Sequence, residues 1–317
     1  MKLIDPKVEL WNQGNTLDEI WEHIARCARV CYQSEPRKNG ETGEGFVNRV
    51  ILHNHNYEEI ANDIKLQEKL HLSVLEHGTI YLAITEPWNA RDYENVSKYI
   101  ENKYSKVSKA IYNKPLYEGI RPYSTVYITT NIRVLVENGW MDDLQYICAP
   151  TKHHALRKTF SLWTNIGGIR DTNRHRVQSI SEESTRYCLY SSPKFSSEIA
   201  ICKLPWYNDE EYNKAEFHPE DLYNNGVIHA HDTNNWEAID WYMWYEQMCE
   251  IVYNNLHRLG QTAQQCSNIL TFSTKTQSVH TAFVDDWKHY CHLRSDEVSG
   301  KVRPEVKLIA DKIKEFL

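Results

Sequence analysis

The sequence lacks the features that mark common metal-binding, redox and membrane proteins. None of its 8 cysteines belongs to a Cys-x-x-Cys pair, so neither a zinc ribbon nor a thioredoxin-type motif is predicted, and we expect no metal site. No apolar run approaches the roughly 20 residues that a transmembrane helix requires. No apolar leader follows Met1–Pro6 either. We therefore expect a cytoplasmic protein with reduced thiols and no membrane association.

An excess of positive charge is also missing. Lysine and arginine number 36 against 43 aspartates and glutamates, which gives a net charge of −7. A protein that coats nucleic acid usually carries a broad basic surface, so a polyanion would have to bind at a local basic patch. No internal repeat or low-complexity tract is present. The composition, with 41% hydrophobic and 12% aromatic residues, is that of a folded globular protein with ring surface for a core or a stacking pocket.

The hydrophobic pattern changes between helical and strand periods, which predicts an α/β fold of the mixed α+β kind. We expect helices over residues 16–32, 57–76, 131–138 and 236–259, and strands over 79–84, 123–130 and 158–166. Gly167 and Gly168 are expected to close the last strand, and a short helix to start at Ile169. The 317 residues are predicted to form a single domain with polar insertions near 89–122 and 205–235.

One short segment concentrates positive charge in this acidic chain. Residues 170–187 contain four arginines and one histidine among serines and threonines. A guanidinium group donates two parallel hydrogen bonds to phosphate oxygens, which lysine cannot do. The segment therefore predicts a site for a nucleotide or a dinucleotide pyrophosphate. The alternative is a solvated helix in which Glu182 and Arg186 form an i,i+4 ion pair.

The spacing of residues within this segment favours the phosphate site over the solvated helix. It fits the string Arg-His-Arg-x-x-Ser-x-x-x-x-Ser-x-Arg-Tyr from Arg174 to Tyr187, and it resembles the signature of the flavin-dependent thymidylate synthases. Three further segments, in compatible order, resemble motifs of the same family. They are Leu75-Glu76-His77, Asn131-x-Arg133 and the run from Trp287 to Arg294.

The resemblance implies a fold, an activity and an assembly. A protein of this family would have a central mixed sheet flanked by helices and would form a homotetramer with FAD at subunit interfaces. It would be a methyltransferase that converts dUMP to dTMP, with 5,10-methylenetetrahydrofolate as carbon donor and NADPH as reductant. The cofactor supplies the difficult chemistry in such enzymes, so no cysteine nucleophile is needed. Folate and dUMP would be its small-molecule partners, and no nucleic acid would be bound.

The resemblance also assigns residues. Arg294 would be catalytic, because a guanidinium at the uracil ring stabilises the charge that develops there. The substrate-binding residues would be Asp171, Arg174, Glu182, Glu183, Ser184, Thr185, Arg186 and Arg294. The cofactor-binding residues would be His77, Thr79, Arg174, His175, Arg176, Glu182 and His289.

Two departures from the family pattern leave the substrate open. Ser267 stands where the family has a nucleotide-contacting arginine, and Phe283-Val284-Asp285 replaces a later Asn-x-Arg. Flavin- and folate-dependent modification of another pyrimidine nucleotide is therefore an alternative. A single-stranded nucleic-acid binder that uses aromatic rings for base stacking, and a flavin-free structural homologue, are alternatives outside this chemistry.

Overall fold

A computed structural model describes residues 1–35, 40–87, 94–113, 123–192, 194, 198–215, 235–298 and 300–317. Helices and strands are mixed, as predicted from the sequence. The strands are β1 (Lys2–Ile4), β2 (Lys7–Trp11), β3 (Thr79–Pro87), β4 (Lys106–Asn113), β5 (Tyr123–Asn131), β6 (Arg157–Asn165), β7 (Ser179–Glu182), β8 (Ala200–Cys202) and β9 (Lys275–Phe283).

The helices include one of 21 residues and several of one or two turns. They are α1 (Leu17–Tyr32), α2 (Gly43–Val50), α3 (Tyr57–Asn62), α4 (Ile64–Lys69), α5 (Glu94–Glu101), α6 (Ile132–Asn138), α7 (Ile166–Thr172), α8 (Asp209–Lys214), α9 (Ala238–Arg258), α10 (Ala263–Cys266), α11 (Val284–Arg294) and α12 (Pro304–Lys314). None of the described helices is both long and apolar enough to cross a bilayer.

The central sheet has the strand order β2-β6-β9-β7, and all three pairings are antiparallel. A second sheet, β3-β5-β4, is antiparallel as well. The prediction of a mixed central sheet is therefore wrong for the described residues, because the parallel pair, β1 with β8, lies in a separate two-stranded sheet. Strand direction depends on the path of the connections between strands, which hydrophobic patterns do not encode.

The strongest local signals are confirmed. Helix α1 begins after Thr16, whose side chain forms the expected reciprocal capping box with Glu19. Helix α9 ends just before Gly260, which has a φ of +93°, a conformation that suits glycine. The strands that begin near residues 79, 123 and 158 are also present.

Two boundaries differ from the prediction. The helix expected over 57–76 is broken into α3, α4 and a 3₁₀ turn, Leu72–His77, because Asp63 ends α3 and caps α4. Gly167 and Gly168 lie inside α7 and do not close the strand. A Cβ atom at Gly167 would lie 2.8 Å from the Arg303 guanidinium, so the glycine permits close packing.

The two predicted insertions fall partly outside the described residues. Within the first, α5 and β4 are described, and β4 pairs with β5. Within the second, only α8 and its flanks are described up to residue 215. The single-domain organisation stays a prediction.

The central sheet has two covered faces, which we call the α1 face and the α7 face. On the α1 face, Val279 packs with Trp11, Cys27 and Val30. On the α7 face, residues from α7, α11 and α12 pack on the strands, with Trp287 fully buried among them. The first turn after β7 lies at the edge of this sheet, and the site described below is built around it.

A chain of polar side chains is buried between the α1 face and the elements that cover it. His77 Nδ1 lies 2.8 Å from Thr281 Oγ1, which lies 2.7 Å from Thr159 Oγ1. Thr159 Oγ1 in turn lies 3.2 Å from His23 Nε2. Burial lowers the pKa of His23 to about 4 and the pKa of His77 well below its ordinary value. Both histidines are therefore neutral at pH 7.

We expect His23 to make the protein less stable as the pH falls. Between the ordinary pKa of about 6.5 and the folded value of about 4, the unfolded chain binds a proton that the folded chain does not. The free energy of unfolding therefore falls as the pH is lowered through this window, by about 1 kcal/mol between pH 6.5 and 5.5 for one histidine. Urea unfolding of the wild type and of His23→Gln at both pH values measures this term. An equal pH dependence in the two proteins would contradict it.

Candidate functional site

A cleft of about 490 Å³ opens at the end of β7. It lies between the turn that follows β7, helix α7 and the segment from Ser267 to Phe272. The Asn165 side chain accepts a hydrogen bond from the Gly168 amide and so fixes the start of α7. The lining residues are Ile166, Ile169, Arg170, Asn173, Glu182, Glu183, Ser184, Thr185, Arg186, Ser267, Leu270 and Phe272.

The wall of this cleft contains a carboxylate whose hydrogen bonds are to neutral groups. Glu182 accepts from Asn173 Nδ2 at 2.9 Å and from Thr276 Oγ1 at 3.3 Å. Burial raises the pKa of Glu182 above its ordinary value. The other atom of the Asn173 amide, Oδ1, is buried and has no partner among the described residues. A buried acceptor without a partner is unfavourable, so this wall suits a ligand that carries an N–H or O–H donor.

Two arginines carry the positive charge of the cleft. Arg186 is exposed and its Nε lies 3.3 Å from Gln264 Oε1. Arg170 is exposed, and its guanidinium carbon lies 4.8 Å from the centre of the Phe272 ring. Within the described parts of the chain, neither has a carboxylate within ion-pair distance. The predicted alternative, a helix with a Glu182–Arg186 ion pair, is wrong because residues 179–182 form a strand.

Ser184 and Thr185 line the cleft, but the carboxylate of Glu183 is engaged inside the protein. It lies 2.5 Å from Lys275 Nζ and accepts from Tyr190 Oη at 3.0 Å and from the Gln277 amide at 3.2 Å. Both side chains of the ion pair are buried. The structure thus gives Glu183 a role in fixing the turn that holds Ser184.

A second group of predicted residues meets at the end of α11. Arg294 Nε donates to His175 Nε2 at 3.1 Å, and the His175 ring packs edge-on against Tyr290 with centroids 4.8 Å apart. Burial, together with the Arg294 charge, lowers the pKa of His175 to about 4. The imidazole is therefore neutral and accepts this hydrogen bond. His289, on the same helix, is exposed.

The turn after α7 connects this group to the cleft. Asn173 lines the cleft, whereas Arg174 is 75% exposed, with the Asp171 carboxylate 3.8 Å away. Arg176 is exposed as well. The turn thus presents two guanidinium groups to solvent next to the neutral His175, and in the described part of the chain only Arg174 has a carboxylate within ion-pair distance.

The structure does not bring His77 and Thr79 to this place. His77 is fully buried on the α1 face, where its Nε2 lies 3.0 Å from Ser181 Oγ and its Nδ1 is used by Thr281. Thr79 accepts a hydrogen bond from Arg157 at 3.2 Å. Their contact with a cofactor of a neighbouring subunit stays a prediction.

Sequence reasoning counted Arg170 in the basic segment but assigned neither Arg170 nor Asn173 to a site, although both line the cleft. A signal was available, because Ile166, Ile169, Arg170 and Asn173 are spaced by three and four residues and so share one side of α7. Reading that signal required knowing that α7 starts at Ile166. Ser267, singled out as a departure, does lie in the cleft.

Comparison with known proteins shows the family to which the chain belongs. Residues 153–317 match the family described as thymidylate synthase complementing protein. The chain belongs to this family. The thymidylate synthase complementing protein match includes every residue that lines the cleft, together with His175 and Arg294. It does not include α1, His77 or Thr79.

Solved structures show weaker similarity. The UMP/dUMP methylase PolB from Streptomyces cacaoi bound with 5-Br dUMP is 19% identical over 50% of this chain and 66% of its own, with a TM-score of 0.36. Thymidylate synthase X from Helicobacter pylori with FAD and dUMP is 18% identical over 51% of this chain and 67% of its own, with a TM-score of 0.34. The chain thus spans about two thirds of the length of these proteins. No curated protein matches the sequence.

No cysteine is among the described residues that line the cleft. All eight cysteines are free. Among the residues that the structure describes, no group of three or more His, Cys, Asp or Glu side chains is placed to hold a metal ion.

Proposed function

We propose that the protein is an FAD-dependent methyltransferase that converts dUMP to dTMP. 5,10-Methylenetetrahydrofolate would supply the carbon and NADPH the reducing electrons, so that the products are dTMP, tetrahydrofolate and NADP⁺. The observation that carries the proposal is the cleft at the end of β7, which is lined by Arg170, Arg186 and Ser184 together with Asn173, whose buried Oδ1 has no partner among the described residues. This set of groups suits a nucleotide with a phosphate at one end and a donor-bearing base at the other.

The nucleotide phosphate would bind to Arg186 and Arg170, with the hydroxyls of Ser184 and Thr185 as neutral donors. Arg186 is on the turn that the Glu183–Lys275 ion pair fixes from inside, and a fixed turn presents its donors with little loss of conformational entropy. Glu182, held by Asn173 and Thr276, orients the amide that faces the base.

The residues on the turn after α7 fit a flavin dinucleotide. Arg174 and Arg176 are exposed and can bind its phosphates. His175 is neutral, so it does not repel the adjacent guanidinium groups. When bound, reduced FAD would supply the hydride for the methyl group. A homotetramer, in which a neighbouring subunit completes the cofactor site, is part of this proposal.

Arg294 has the chemical role in the proposal. Negative charge must develop on the pyrimidine ring as its C5 carbon forms a bond, and a guanidinium at the ring stabilises this charge most in a site that excludes water. Arg294 is half-buried and is oriented by its hydrogen bond to His175. The bond uses Nε of the guanidinium, so the two terminal nitrogens would be available to the pyrimidine ring.

A second pyrimidine nucleotide is the competing substrate. Ser267 lies in the cleft where an arginine was expected from the family pattern, and PolB is a UMP/dUMP methylase. Release of tritium from 5-tritiated dUMP and from 5-tritiated UMP by the FAD-loaded protein, with methylenetetrahydrofolate and NADPH, tests both substrates. Faster release from dUMP supports the proposal, faster release from UMP supports the competing substrate, and release from neither contradicts both.

We expect Arg170→Ala to weaken dUMP binding by about 1.5–3 kcal/mol, or at least about tenfold in Kd, because a charge-assisted hydrogen bond is lost. Arg170 would supply the charge that Ser267 lacks. Ser267→Arg should therefore restore most of the affinity in the Arg170→Ala background. Calorimetric titration with dUMP measures each variant.

The matched control is Arg258→Ala, since Arg258 is an exposed arginine at the end of α9 whose side chain bonds to Asn255. It should leave the Kd for dUMP unchanged. An unchanged Kd in Arg170→Ala would remove Arg170 from the phosphate site, and a failed restoration would show that residue 267 does not face the phosphate.

A further inference from the structure

A second pocket, of about 550 Å³, lies on the α1 face of the central sheet. Its walls come from the C-terminal half of α1 and from β1, β2, β6, β8 and β9, and it shares no lining residue with the cleft at β7. Arg29 lines this pocket and lies outside the residues that match the family. The pocket is used by nothing in the proposed methyl transfer.

Three buried donor atoms in this pocket have no hydrogen-bond partner among the described residues. They are Nε and Nη2 of Arg29 and Nε1 of Trp163. Arg29 is only 8% exposed, and its guanidinium carbon lies 4.3 Å from the centre of the Phe46 ring. Arginine does not lose its proton in a protein, so Arg29 keeps a buried charge. Such a charge is unfavourable unless an anion pairs with it.

Two carboxylates line the pocket, Glu35 and Glu198, and in the described part of the chain neither is within ion-pair distance of Arg29. Arg26 and Lys194 line the pocket with Arg29, and the carboxylate of Glu198 lies 3.3 Å from the N-terminal amino group of Met1. The buried lysine in the wall, Lys275, is paired with Glu183. Cations therefore predominate around a guanidinium group that has two donor atoms without partners, and the pocket suits a group rich in hydrogen-bond acceptors.

Aromatic rings add a second requirement. Trp11 and Trp163 both line the pocket, and the Arg26 guanidinium covers one face of Trp11 at 3.6 Å. Lys7 Nζ and Lys275 Nζ lie 4.5 and 4.6 Å from the centre of the Trp163 ring, so Trp11 is the ring that offers stacking surface to a planar group. A cavity of about 550 Å³ falls in the range of pockets for small organic ligands.

We propose that this pocket binds a phosphate ester of mononucleotide size, with the phosphate on Arg29 and a planar ring against Trp11. The phosphate oxygens accept the two unused donors of Arg29, and the Trp163 indole donates to the same ligand. The site is separate from the substrate cleft and goes beyond the proposed methyl transfer.

Titration of the FAD-loaded protein with AMP and with adenosine, followed by calorimetry and by tryptophan fluorescence, tests the site. AMP is expected to bind and adenosine to bind at least about tenfold more weakly, because it lacks the charge-assisted bonds. Arg29→Met should weaken AMP binding by at least about tenfold, and Arg29→Lys should give an intermediate Kd, since it keeps the charge without the planar set of donors.

Arg186→Ala separates this pocket from the cleft. It should leave AMP binding at the α1 face unchanged, so a loss of AMP binding in this variant with retention in Arg29→Met would overturn the proposal. Absence of AMP binding to the wild type would overturn it too. So would a crystal structure in which Glu35 or a carboxylate of a second copy pairs with Arg29.

If Arg29→Met does not fold, Trp163→Phe removes one donor and should raise the Kd for AMP. An unchanged Kd in that folded variant contradicts the geometry.

Discussion

Replacing Arg294 with alanine is expected to lower kcat for dUMP methylation by about 10²–10³-fold, the usual effect of removing one group that stabilises developing negative charge. The guanidinium would act on the ring in the transition state more than in the ground state, so the Kd for dUMP should change far less than kcat. Tritium release from 5-tritiated dUMP at saturating substrate measures kcat, and the flavin absorbance of the purified variant shows that the cofactor site is intact.

Two variants separate charge from packing at this position. Arg294→Lys keeps a positive charge but cannot reproduce the planar donor geometry, so its kcat should fall between those of the wild type and Arg294→Ala. Arg258→Ala, the exposed arginine of α9, should keep full turnover. If Arg294→Ala turns over at the wild-type rate, the arginine does not act at the ring and its contact with His175 is structural.

The pKa of His175 offers a second test of the Arg294 contact, because the two side chains are hydrogen-bonded. The Arg294 charge helps to hold the pKa of His175 down to about 4, although burial is the larger cause. Removing the guanidinium should therefore raise the pKa of His175 towards its ordinary value. NMR titration of the imidazole would detect this shift in the absence of any substrate, and an unchanged pKa would mean that the two side chains are not in contact in solution.

Local interactions explain which elements could be predicted from the sequence. The capping box of Thr16 and Glu19 and the helix end at Gly260 involve residues within a few positions of each other, and such signals are readable without the fold. The helix expected over 57–76 was wrong because Asp63 can both end one helix and cap the next. The hydrophobic pattern continues through this residue and hides the break.

Long-range geometry explains what the sequence could not provide. The motif from Arg174 to Tyr187 predicted a phosphate site, and its residues Ser184, Thr185 and Arg186 do line one cleft. The unpartnered Oδ1 of Asn173 and the bond from Arg294 to His175 arise from elements that are far apart in sequence. The same is true of His77, whose burial on the α1 face depends on the packing of Thr281 and Ser181.

Breaking the ion pair between Lys275 and Glu183 is expected to cost about 3–5 kcal/mol of the free energy of unfolding, because one buried charge is left without a partner. Lys275→Met removes the ammonium group and leaves the Glu183 carboxylate, whose side chain is 0% exposed. Urea unfolding at pH 7 measures the loss. The matched control is Lys214→Met, which breaks the exposed pair with Glu210 and should cost no more than about 1 kcal/mol.

The double variant Lys275→Met/Glu183→Gln decides the cause. A glutamine carries no charge, and its one oxygen can accept from the Gln277 amide while its NH2 group donates to Tyr190 Oη, the other partner of Glu183. If the loss comes from the unpaired carboxylate, the double variant should recover most of the stability of the wild type. A double variant as unstable as Lys275→Met would show instead that lost packing of the lysine side chain is responsible.

The same ion pair links stability to the proposed activity. Glu183 precedes Ser184 on the turn that lines the cleft, and the Ser184 amide donates to the Cys31 carbonyl at 2.9 Å. The turn is therefore held from one side by Lys275 and from the other by α1. Because the double variant restores the fold without restoring the charge pair, its Kd for dUMP reports how much of the nucleotide affinity depends on the position of this turn. We expect a Kd close to that of the wild type, since the Glu183 and Ser184 backbone amides keep their hydrogen bonds to the Gln277 and Cys31 carbonyls.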